Sequence, residues 1–229
     1  MADSPKPKSG GGCLKLLSVL ILLVGAIGLG AALFFIAQPQ DLTDIGGYGP
    51  SVKPTPVREM KAVLQNSLDR GYAVTLTETE INQWLGRTLQ AKQGGPLGPH
   101  LPLERLWVRL EDGRAEIIME RKLLGQPFTI SMFVRVEQLQ GLKGLETQVH
   151  LDGGPYHASL PKPPQGGRFG KLVVPQGFLL LVRPAYEKLP ALFPDEIHLG
   201  FEQMARIRIE KNRLILDPRE PDAGLPSSF

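Results

Sequence analysis

Cysteine is nearly missing from this chain. Cys13 is the only one, so no disulfide can form within the residues that follow it, and whatever they fold into must rest on packing. Histidine is scarce as well: His100, His150, His157 and His198 share no metal-binding spacing such as H-x-x-x-H and have no cysteine nearby, so no metal centre is indicated. The sequence has no G-x-S-x-G elbow, no P-loop and no G-x-G-x-x-G opening a helix, and no cofactor is implied. Gly166-Gly167-Arg168-Phe169-Gly170 lies between prolines and reads as a loop. Aromatics are 7% of the residues and form no stripe with basic ones. Residues 1–37 hold Lys6, Lys8, Lys15 and Asp3, which leaves +1 of the formal net charge of +3 for residues 38–229 and gives no support to a nucleic-acid-binding surface.

One long apolar run is present. Residues 16–37 are twenty-two positions at which Ser18 has the only polar side chain. A helix of that length reaches about 33 Å, enough to cross a hydrocarbon core of about 30 Å. A secretory signal needs only about 7–15 apolar residues before a small-residue cleavage site, whereas this run is longer and ends in Phe35-Ile36-Ala37. It reads as a retained transmembrane helix.

Lys6, Lys8 and Lys15 precede the run, and Asp41 and Asp44 follow it. Residues 1–15 are therefore expected to be a disordered cytoplasmic tail, with the rest extracytoplasmic, periplasmic if the cell is Gram-negative. Cys13 lies ahead of the run, where a lipoprotein cysteine would follow it, so it reads as a plain thiol or a palmitoylation site. Gly25, Gly28, Gly30 and Ala32 would let a second helix approach.

About 190 residues remain, the size of one domain with its own core. Residues 38–56 are rich in glycine and proline and read as a semi-stiff tether, and residues 57–217 as the domain. Val57, Met60, Val63, Leu64 and Leu68 recur at helical spacing, and Gly71 closes that segment. After an extended stretch over 73–76, Thr77 and Glu80 form a capping box that opens a second helix with Ile81, Trp84, Leu85 and Leu89 inward. Residues 94–102 read as a loop.

The period then drops to two. Leu106, Val108 and Leu110, an Asp112-Gly113 turn, and Ala115, Ile117 and Met119 predict a hairpin. Phe128, Ile130, Met132, Val134 and Val136 predict a third strand, and residues 145–152 a fourth. This is an antiparallel meander with one apolar face to cover. Residues 177–193 are apolar nearly all round and read as the covering helix, kinked at Pro184 and loosened at Pro190. Residues 197–201, 205–209 and 214–216 read as closing strands with a turn near Lys211-Asn212, and residues 218–229 as a loose tail. The expected fold class is α+β: one transmembrane helix, then a curved antiparallel sheet packed on helices.

Trp107, Ile118 and Phe133 fall on the polar side of their strands, which suggests a second contact surface or a cover formed by the first two helices. His150 and Asp152 share one side of a strand and are the nearest approach to an acid–base pair.

The order of these elements, with Leu76, Thr77, Glu80, Ile81 and Asn82 entering the second helix, resembles the YpmS-like family of bacterial single-span proteins. That resemblance covers about residues 57–217 and implies the same succession of strands. It implies no catalytic residue. A helix lying along a curved sheet is also similar, more distantly, to tubular lipid-binding (TULIP-like) modules, and this implies a lipid groove on the concave face.

The leading expectation is a membrane-anchored, non-catalytic extracytoplasmic domain that binds a lipid or other apolar ligand. The expected site is Phe128, Ile130, Met132, Val134 and Val136 of the sheet with Phe178, Leu180 and Leu181 of the covering helix. The alternative is a scaffold that recruits an envelope protein through strand edges or the Trp107 face. A hydrolase using His150 and Asp152 comes last.

Overall fold

The computed structural model describes residues 11–49, 58–93, 103–123, 125–141 and 144–220. The start of the expected tail, the second part of the expected tether, the loop over 94–102 and most of the final tail lie outside these residues. Helix α1 (Gly11–Ala37) contains the apolar run and begins ahead of it, taking in Cys13 and Lys15. Among the described residues it is the one helix long and apolar enough to cross a membrane, over Leu14–Ala37.

Helix α2 (Met60–Arg70) ends where Gly71 takes a left-handed conformation, and Gly71 and Tyr72 return their N–H groups to Leu68 and Ser67. Strand β1 (Val74–Thr77) leads straight into helix α3 (Glu78–Gln93). The capping box is in place: Glu80 N–H donates to Thr77 Oγ1 at 3.2 Å, and Thr77 N–H donates to Glu80 Oε2 at 2.9 Å.

The meander follows as β2 (Arg105–Glu111), β3 (Arg114–Leu123), β4 (Gln126–Gly141) and β5 (Gly144–Leu151), each antiparallel to the one before. Then come β6 (Pro155–His157), β7 (Leu160–Phe169) and β8 (Leu172–Pro175). The seven strands form one open antiparallel sheet in the order β2-β3-β4-β7-β6, with β5 beside the later part of β4 and β8 beside β7. Strands β9 (Arg206–Glu210) and β10 (Arg213–Asp217) join β1 in a separate three-stranded sheet, turning at Asn212 in the left-handed region.

The expected loop at Gly166–Gly170 is a strand instead, for all but Gly170. Prolines and glycines hid it, but the glycines are what let β7 approach: a side chain on Gly167 would collide with the Ser131 carbonyl of β4.

The expected helix over 177–193 is a succession of single turns, Gln176–Leu181, Arg183–Tyr186 and Pro190–Leu192, followed by Pro194–Ile197 and His198–Glu202. Pro184, Pro190 and Pro194 each stand at the start of a new turn, where the missing N–H costs nothing and the previous turn cannot continue. The strand expected over 197–201 is likewise helical, since three apolar residues at alternate positions fit either period. These turns still cover the sheet. Leu179, Tyr186, Leu192 and Phe193 join Met119, Met132, Leu64, Trp84 and Leu216 in one core spanning both sheets.

Candidate functional site

The outer face of the large sheet has a row of charges that the strand alternation places there. Arg109 on β2 stands opposite Glu116 on β3, Nη1 lying 2.5 Å from Oε2. Glu116 has no exposed surface and also accepts from Ser131 Oγ at 2.5 Å, with Arg168 Nε 3.6 Å away. Burial disfavours the charge on Arg109, but Glu116 and Asp44 beside it outweigh this and raise its pKa above the ordinary arginine value.

What buries this pair is the chain expected to be a tether. Residues 38–49 contain no helix or strand, as their glycine content predicts, yet they pack against the sheet. Leu42 and Ile45 are 5% and 3% exposed and close over Trp107 and Ile118, and Tyr48 meets the Trp107 ring edge-on at 5.2 Å. Arg109 Nη2 donates to the Asp41 carbonyl at 3.0 Å and to Asp44 Oδ1 at 2.9 Å.

Helix α3 clamps the same strap. Asn82 Nδ2 donates to the carbonyls of Gly46 and Val108, at 2.9 and 2.8 Å, while its Oδ1 accepts from Val108 N–H at 2.7 Å. Glu78 accepts from Gly46 N–H and Leu110 N–H, both at 2.6 Å. Two buried side chains thus stand in for a neighbouring strand along the open edge of β2 and hold the strap to it. Glu78 does more than help to start a helix. The outer aromatics are therefore covered by the strap at Trp107 and by the guanidinium groups of Arg114 and Arg168 at Phe133, whose carbons lie 4.8 and 5.6 Å from the ring centre.

The strap also joins the membrane-length helix to the sheet. Lys171 N–H donates to the Phe35 carbonyl at 3.0 Å, and Gln40 N–H to Thr129 Oγ1 at 2.9 Å. At Gly170, with φ of 55°, any side chain would strike the carbonyl oxygens of Phe35, Ile36 and Gln38, so the β7–β8 turn fits directly against the end of α1.

The expected ligand residues divide into two groups. Met132 and Val134 are each 6% exposed, deep in the core, and Phe128, Ile130 and Val136 are partly buried beside them. Tyr186 lies on this face and donates to the carbonyls of Ile117 and Ile130 at 3.2 and 3.0 Å; burial pushes its pKa well above the usual tyrosine value, and the charge of Glu116 adds to this. Phe178, Leu180 and Leu181 point away from that face and are 54%, 67% and 77% exposed. The residue of their turn that enters the core is Leu179, at 1%. The two groups do not come together.

His150 lies 3.7 Å from Glu137 and Asp152 lies 3.2 Å from Arg135, so each has its own partner and they form no dyad. Among the described residues, no group of three or more acidic, histidine or cysteine side chains is placed to hold a metal. Comparison with protein families, with curated proteins and with solved structures finds no match for this chain.

Proposed function

We propose that the protein is a membrane-anchored, non-catalytic domain that contacts lipid at its outer surface, not through a groove between sheet and helix. The reading rests on one observation: Phe178, Leu180 and Leu181 are large apolar side chains held out into solvent on a single turn whose fourth member, Leu179, is locked in the core. A surface side chain of this kind is unremarkable alone, but three together mark a contact site.

Proximity to α1 supports lipid as the contact. Lys171 is bonded to the last turn of α1, and the seven residues from there to Phe178 span at most about 25 Å. The exposed turn therefore stays within about 25 Å of the end of α1, which supports contact with a bilayer that α1 would span. Lys171 and Lys188, exposed on either side of the turn, suit a headgroup layer. The lysines ahead of the apolar run and the aspartates after it favour a cytoplasmic N-terminus and an extracytoplasmic domain.

The test uses the single cysteine. With Cys13→Ser as background, an environment-sensitive fluorophore is attached at Leu180→Cys or at Val149→Cys, an exposed apolar position elsewhere on the sheet. In nanodiscs containing spin-labelled lipid, the probe at 180 is expected to shift blue and be quenched, and the probe at 149 to remain as in water. Equal emission and equal quenching at the two sites would remove the proposal.

A further inference from the structure

Where the β2–β3 turn, the β9–β10 turn, β4 and the strap meet, there is an open concavity of about 650 Å³. Its walls are tied together. Gly113 N–H donates to the Ile209 carbonyl, Asn212 N–H to the Leu110 carbonyl, and Lys211 N–H to Asp112 Oδ1, at 2.9, 3.0 and 2.9 Å. A cleft cross-braced in this way is already in shape before a ligand arrives, which lowers the cost of binding.

Formal charges in the lining nearly cancel, but the groups still free to bond do not. Of the acids, Asp44 and Glu111 are taken up by Arg109 and Arg114, and Asp112 accepts the Lys211 N–H through Oδ1. Of the bases, Arg135 meets Asp152 through Nε alone, and its two terminal nitrogens have no hydrogen bond among the described residues. Lys211 Nζ forms no ion pair there, and the Asn212 side-chain amide is unengaged, since that residue bonds only through its main chain. Arg109 Nε is buried at the back wall with no hydrogen-bond partner among the described residues. The unspent donors are thus the half-buried Arg135, the exposed Lys211 and the Asn212 amide, and they outnumber the one acid left without an ion pair, Asp112.

We infer that this concavity binds an oxyanion, a phosphate or carboxylate group, held by the terminal nitrogens of Arg135, the ammonium of Lys211 and the amide of Asn212. Arg135 and Lys211 belong to different sheets, and the hairpin contacts set their separation. The site lies across the large sheet from Leu179, because Arg135 points to the opposite side from Val134. It is therefore independent of the apolar turn, and a ligand can come from solution or from a headgroup.

The full chain in phosphatidylcholine nanodiscs is titrated with inorganic phosphate and with succinate by calorimetry, then again in discs containing phosphatidylglycerol. Saturable binding of at least one anion is expected, weakened tenfold or more by Arg135→Gln and by Lys211→Gln, with the thermal unfolding of both variants unmoved. Suppression of this binding by phosphatidylglycerol assigns the site to a headgroup, and binding that is indifferent to the lipid assigns it to a free anion. Absence of saturable binding for both anions in phosphatidylcholine discs, or binding undiminished in both variants, overturns the inference.

Discussion

Arg109 and Glu116 face each other across β2 and β3 with 2.5 Å between Nη1 and Oε2, and Glu116 has no contact with solvent. An isolated charge at such a depth is costly, so each residue depends on the other. Arg109→Met alone is expected to destabilise the domain by about 3–5 kcal/mol, because it strands a buried carboxylate, while Arg109→Met with Glu116→Leu recovers most of that loss. Urea unfolding of the four proteins of this double-mutant cycle in mild detergent checks it. A single variant within experimental error of the parent would show that the pair is not coupled to folding.

Asn82→Ala removes three hydrogen bonds at once and leaves main-chain groups of Gly46 and Val108 unsatisfied in a partly buried place. The expected cost is about 2–4 kcal/mol. Hydrogen exchange should also accelerate across residues 42–48. Thr77→Ala removes only a helix cap, at about 1 kcal/mol, and should leave exchange in those residues unchanged. The pair of exchange maps separates loss of the clamp from general loosening.

The two neighbours Leu179 and Leu180 should behave in opposite ways. Leu179 is 1% exposed and Leu180 67%. Leu179→Ala is expected to cost about 2–5 kcal/mol as a cavity in the core, whereas Leu180→Ala should stay within about 0.5 kcal/mol in detergent. Thermal unfolding measured by circular dichroism distinguishes them. Equal effects would mean that this turn sits differently on the sheet.

Asp217 closes the small sheet between two arginines. Hydrogen bonds from Arg219 lower its pKa against the opposing effect of burial, with Arg206 assisting, down to about 2 from an ordinary 3.8. Its stabilising contribution is complete above pH 4 and disappears as the pH falls towards 2, since the unfolded chain then takes up the proton more readily. Because Arg219 is 58% exposed and its attraction is screened, this amounts to about 1 kcal/mol. Unfolding free energies for the parent and Asp217→Asn should differ by that amount at pH 6 and converge near pH 2.

The meander could be read from the sequence because strand alternation is local: Leu106, Val108 and Leu110 against Trp107 and Arg109 leave little choice of register. The capping box was legible for the same reason. The strap was not, since glycine and proline look alike in a free linker and in a packed one. Its contacts join residues 65 and 68 positions apart, such as Arg109 with Asp44 and Asp41. Two traces were present: Leu42, Ile45 and Tyr48, three apart in a polar segment, and Trp107 with Ile118 on a face that ought to be polar. The run over 177–193 misled through its composition. Near-uniform hydrophobicity cannot say which side of a turn is buried, and only the packing of Leu179 separates it from Phe178, Leu180 and Leu181. The proposed anion-binding lining is assembled from two hairpin turns, β4 and the strap, so no stretch of chain contains it.

The stitching of residues 38–49 onto the sheet fixes how far the protein can search. Twelve residues left loose would sweep a sphere of about 40 Å radius about the end of α1, admitting any orientation of the globule. Fastened to β2 and β4 as they are, they convert α1 and the globule into a single lever, so that, if α1 spans a bilayer as proposed, tilting it must tip both faces of the sheet by the same angle.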